Sequence, residues 1–232
     1  MWAPFSTVLG MHATPDSGKA FDGRPNRVTP LGDIVAVPLR GAWLGNRGIL
    51  HEGTGPGAQV TRLHRGPLWI ICALQHKDWR LPQWQPHHFT VLFFHDEAVA
   101  LAAGHRPCAL CRRPAYDEFR LAWAAGNGVP APMAKEMDRR LHAERLVSRT
   151  RTKRLHPASW SSLPDGSFVK LGQGPALVLG DAVVPWTLGG YGDPRVRPRS
   201  GRAMMLTPPS TGEALRAGYL PQVDSSARSP AQ

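Results

Sequence analysis

Two cysteines three residues apart, Cys108 and Cys111 in HRPCALCRR, are the strongest chemical handle in the chain. Thiolates at i and i+3 around a tight turn can both point at one tetrahedral ion. The third cysteine, Cys72, is followed four residues later by His76 in CALQH. Cys72, His76, Cys108 and Cys111 therefore supply four donors for Zn²⁺ as two close pairs. His87, His88, His95, His105 and His142 compete for the fourth place. Two other readings fit the same residues. Arg106, Arg112 and Arg113 would favour thiolates in a dithiol redox couple, and unliganded cysteines pack as small hydrophobes.

A second constellation lies in KEMDRRLHAER, residues 135–145. Asp138 and His142 are four apart on one helical face, and with Glu144 they could form a metal-dependent phosphodiesterase centre in which carboxylates hold Mg²⁺ and the imidazole moves protons. The plain alternative is a solvated face of Glu136–Arg140–Glu144 ion pairs. Just beyond, Arg139, Arg149, Arg151, Lys153 and Arg154 form a basic strip suited to phosphate contacts on nucleic acid. LGNRGILH (44–51) is a third candidate, a glycine loop with backbone N–H groups free for an anion.

The elements that must position these groups are short. With 24 glycines and 23 prolines in 232 residues, the chain reads as a loop-rich globular protein rather than a disordered one. Strands are predicted within 33–40, 67–74 and 89–94. Asp96 is placed to cap a helix stopped by Gly104. A second helix is predicted over 114–125 with Gly126 beyond its end, and a third, charged on most sides, over 132–147. Asp165–Gly166 reads as a hairpin turn opening a meander, and 210–221 as a short helix capped by Ser210 or Thr211. ALAAGHRP (100–107) and ALRAGYLP (214–221) share five identities at a constant offset, which reads as one helix-ending glycine turn used twice. The expected class is α+β. Its organisation is an irregular arm over 1–29, an α+β domain over 30–156 around the cysteines, a β-rich segment over 157–221 and a disordered tail over 222–232.

Charge bounds the partners. The chain has 28 basic against 17 acidic residues, a net +11 and a pI near 10.6. Such a balance favours polyanions, nucleic acid first. Three cysteines make a disulfide framework improbable, and the N-terminus lacks a secretory pattern, so a reducing cytoplasm is expected. No apolar run is long enough to span a bilayer, and no membrane partner is expected.

The run FFHDEAVALAAGHRPCALC (93–111) resembles the metal-binding module of the Ada DNA-repair protein family. Phe93, Ala102, Ala103, Gly104, Arg106, Pro107, Cys108 and Cys111 match that pattern in register. His105 stands where the family has an aromatic residue, and Cys72-x-x-x-His76 stands somewhat upstream of the family's other ligand pair. The resemblance implies a zinc knuckle and a DNA rather than an RNA partner, in repair or processing. The expected function is a zinc-containing nucleic-acid-binding protein. The alternatives are a nuclease using the 135–145 helix and an interaction protein with a purely structural zinc.

Overall fold

A computed structural model describes residues 23–147, 150 and 152–228. The first part contains strands β1 (Arg27–Val28), β2 (Ile34–Val35), β3 (Trp43–Asn46), β4 (His51–Glu52), β5 (Gln59–Val60), β6 (Ile70–Cys72) and β7 (Leu92–Phe94). Helix α1 (Glu97–Ala102), strand β8 (Arg106–Pro107), α2 (Arg113–Asn127) and α3 (Ala134–Arg145) follow. The second part has β9 (His156–Ser159), β10 (Phe168–Leu171), β11 (Gly174–Leu179), β12 (Ala182–Thr187), β13 (Gly190–Tyr191), β14 (Arg195–Val196), β15 (Arg202–Met205) and α4 (Pro209–Arg216). The class is α+β.

One sheet has the order β2-β1-β7-β3-β6-β8, and the other runs β13-β12-β11-β10-β15-β9, with β14 beside β12. A single buried cluster joins them. Ile71, Leu92 and Phe94 of the first sheet meet Phe168, Leu177 and Val184 of the second, with every residue of α1 enclosed. A six-residue helix has too few hydrogen bonds to persist alone, so this packing holds α1 in place.

Its entry is fixed by two acids. Asp96 caps α1 through the Val99 N–H at 2.8 Å and also accepts from the Tyr191 hydroxyl and the Asp224 N–H. Glu97 accepts from Arg112, the Tyr219 hydroxyl and the Gln222 N–H. Its exit is the expected glycine turn. Gly104 has φ +95° and donates to the Leu101 carbonyl, while His105 donates to that of Ala100. At the end of α4, Gly218 (φ +103°) donates to Leu215 and Tyr219 to Ala214, the same two bonds at equivalent positions.

Several expectations shift. Arg27–Val28, assigned to the irregular arm, pair with β2 and β7, while residues 1–22 lie outside the described part. Gly126 is inside α2, which ends at Gly128 (φ +62°). Gly126 serves close packing, since a Cβ there would sit 2.2 Å from the Glu213 carbonyl oxygen of α4. The β10–β11 turn is Gly172–Gln173, and Asp165–Gly166 instead leads into β10. Ser210 lies within α4 and directs both N–H and hydroxyl at Glu144. Residues 222–228, assigned to the tail, fold onto α1 with Ala227 buried, and 229–232 lie outside the described residues.

Candidate metal centre

Cys72 is the last residue of β6, paired with Leu44 of β3. On its other edge β6 runs parallel to β8, with Ile71 opposite Pro107. The Cys108 N–H extends this ladder to the Ile71 carbonyl at 2.9 Å and so sets Cys108 beside Cys72. The chain then turns through Ala109 and Leu110, with the Arg112 N–H bonded to the Cys108 carbonyl, and enters α2. Arg112 locks that turn by its ion pair with Glu97 at 2.9 Å and its stacking on Trp43. Cys111 is thereby folded back over the pair.

The ligand atoms of Cys72, Cys108 and Cys111 all lie within 4.8 Å of one another, the one such grouping of His, Cys, Asp or Glu among the described residues. All three are free thiols. Tetrahedral Zn²⁺ with bonds of ~2.3 Å spaces its sulfurs about 3.8 Å apart, so the grouping fits that ion. Backbone N–H groups also point at sulfur, from Ala73 to Cys111 and from Leu110 to Cys108, each at 3.4 Å.

The Cys108 thiol is held far below its ordinary value of 9.0. The Cys111 and Cys72 thiols donating to it contribute most, and burial opposes them. Cys72 is pushed up through the same hydrogen bonds, to Cys108 first. Cys111 is likewise raised, chiefly by Cys108. Each thiolate would stand against the others in a partly buried place, so a bound cation is what would let all three ionise.

His76 does not join the three sulfurs. It lies four residues past the strand end, where a turn closed by the Trp79 N–H on the His76 carbonyl lays its ring edge-on to Trp79 at 5.2 Å. Its Nε2 is buried without a partner. His105, which departs from the Ada pattern, is fully buried and packs as an aromatic group against Phe94 and Trp69.

The phosphodiesterase candidates are occupied elsewhere. Asp138 is buried and takes both guanidinium bonds of Arg106 at 2.8 Å. His142 lies edge-on to His64, with Nδ1 3.2 Å from Arg145. Glu144 binds Arg140 at 3.0 Å and Ser210. Each acid is committed to holding α3 to its neighbours, and among the described residues no carboxylate belongs to a group of three or more possible metal ligands.

The basic strip is divided. Arg139 is exposed. The Lys153 ammonium turns inward to the Ala102 carbonyl, and Arg154 Nε to that of Leu146. Arg149 and Arg151 lie outside the described residues. In the 44–51 loop the amides serve the fold, with Gly48 N–H on Asn46 and Leu50 N–H on Thr90, while the Arg47 side chain is fully buried.

The fold and the donor set define an α+β protein with three cysteines placed to bind one metal ion. No family model, curated protein or solved structure matches the chain. No helix among the described residues is long and apolar enough to cross a membrane.

Proposed function

We propose that this chain is a zinc protein in which Cys72, Cys108 and Cys111 hold one Zn²⁺ and a fourth position is left to an exchangeable ligand. The observation that carries this reading is the convergence of all three cysteines of the chain within 4.8 Å. The ion supplies the positive charge that lets three thiolates share one site. The chain's own residues tie the end of β6 to the β8–α2 turn, and Arg112 with Glu97 keeps that turn closed. Metal analysis of untagged protein tests it. One zinc per chain is expected, lost in Cys72→Ser and in Cys108→Ser and retained in His76→Ala. Cobalt-substituted protein should show the charge-transfer band of three thiolates, and a metal-free preparation of unchanged thermal stability would overturn the reading.

A second reading adds DNA as partner. The likeness of residues 93–111 to the Ada module and the net charge of +11 support it. So does the loop leaving Cys72, where Trp79 is 55% exposed between exposed Lys77 and Arg80. An aromatic ring between cations suits base stacking with phosphate contact. Affinity for DNA should fall with salt at a slope of about −0.9 per phosphate contact on duplex. Lys77→Gln with Arg80→Gln should reduce that slope by about two contacts. Binding insensitive to salt and to both changes would exclude the loop as the contact.

A further inference from the structure

The β6/β8 pair that brings the thiols together carries a second cluster at its other end. Arg47 is fully buried and Arg145 is 1% exposed. Both guanidinium carbons stand over the Trp69 ring, 3.9 and 4.0 Å from its centroid. With Lys153 they line a cleft of about 20 Å³, room for a group about the size of one or two waters. Gly32 forms part of its wall, and a Cβ there would come within 3.8 Å of Arg47 Nη2.

Their hydrogen bonds go almost wholly to neutral acceptors. Arg47 donates to the Gly32 carbonyl and to His105 Nε2, Arg145 to the Gly104 carbonyl, and Lys153 to Ala102. Carbonyls at the end of α1 offset part of the charge, but not the two elementary charges that the guanidiniums keep. Among the described residues Asp33 is the acid that lines the cleft, and it is exposed. Asp138, whose charge also acts on Arg145, is committed to Arg106. Two donors remain without partners, Arg47 Nη2 and Arg145 Nε. Burial of an unbalanced cation with an unmade hydrogen bond is among the costliest arrangements a protein can hold. Guanidinium groups keep their protons, so they cannot escape by neutralising.

We infer that this cleft is a binding site for a compact anion that seats one or two of its atoms there, as chloride or one edge of a phosphate would, with Arg47, Arg145 and Lys153 as its positive wall. Guanidinium N–H groups and an ammonium facing one small space match the distributed lone pairs of an oxyanion. The site uses none of the thiols, so its test is independent of metal.

Thermal unfolding at fixed ionic strength tests it, with sodium phosphate or sodium chloride replacing sodium gluconate, whose anion is too bulky to enter. A saturable rise in Tm on the order of 5 °C is expected with phosphate. Exposed Arg139→Gln should show the same rise, and Lys153→Met at most half of it. Equal gains from chloride and phosphate would still support the site and would set its size preference. The inference is overturned if neither anion gives a saturable gain over gluconate, or if Lys153→Met keeps the full gain. Should Lys153→Met fail to fold, calorimetric titration of the wild type with phosphate decides. One saturable site supports the inference, and an unsaturable response overturns it.

Discussion

The two ends of the β6/β8 pair are charge-incomplete in opposite senses. At one end three sulfurs converge, and a cation is needed before they can all ionise. At the other, two guanidiniums and a lysine line one cleft with a single exposed acid. Between them on β8, Arg106 is complete, because Asp138 takes both of its bonds at 2.8 Å. The difference teaches where the chain is self-sufficient. Buried Arg106 is paired within the chain, and the two clusters that are not so paired are the places where the proposed ions would complete the charge.

The largest expected effect comes from removing a sulfur. Cys108→Ser should abolish metal binding and lower Tm on the order of 10 °C, and chelation of the wild type should come close to it. An unchanged melting curve in either case would break the comparison at its sulfur end. Asp138→Ala tests the paired charge, since it strands Arg106 in a buried site. It should cost about 3–5 kcal/mol in denaturant unfolding without altering metal content.

The repeated glycine turn offers a smaller contrast. Gly218→Ala meets nothing within 4 Å, so only backbone strain opposes it, about 1–2 kcal/mol. At Gly104 a Cβ would lie 2.8 Å from Arg145 Cδ, so Gly104→Ala should cost more and should weaken the response to phosphate. Equal costs at the two positions would show that Arg145 has room to move.

The smallest effect is a slope. Burial first, then the charges of Arg145 and Arg47, holds the Lys153 ammonium well below its ordinary 10.5. Its folded-state pKa is depressed, so the unfolded chain binds more protons, and stability contributed here rises with pH up to the ordinary lysine range. Lys153→Met should flatten that rise in gluconate. Phosphate should flatten it in the wild type by favouring the charged form.

The sulfur site was largely legible in the sequence because cysteine is rare and the Cys108–Cys111 turn is local. Cys72 followed from being the remaining thiol, at the end of a strand. His76 did not follow, because spacing along the chain says nothing of a turn that lays its ring on Trp79. The cation cluster was hidden. Arg47, Trp69, Arg145 and Lys153 come from four elements or loops, and they meet only where the end of α3 and the loop after it pack on the first sheet. One signal was present. Asp138 and Arg145 fall on the same stripe of α3 as fully buried Met137 and Leu141, and charges on an apolar stripe are buried charges. Reading α3 as charged on most sides concealed this, and with it the pairing of Asp138 with Arg106.

The acids that begin α1 have a consequence for the order of events during synthesis. Glu97 and Asp96 find their partners Tyr219, Gln222 and Asp224 between 122 and 128 residues later in the chain. A nascent chain exposes both thiol-bearing segments long before those partners leave the ribosome. Until those partners emerge, the helix leading into Cys108 has its entry open and two carboxylates without their final donors. The cysteines are then reachable by any ion or oxidant in the surroundings. The closing of residues 219–224 over the start of α1 completes the bonds of both acids, so a chain truncated before Tyr219 should melt at a lower temperature than the full chain.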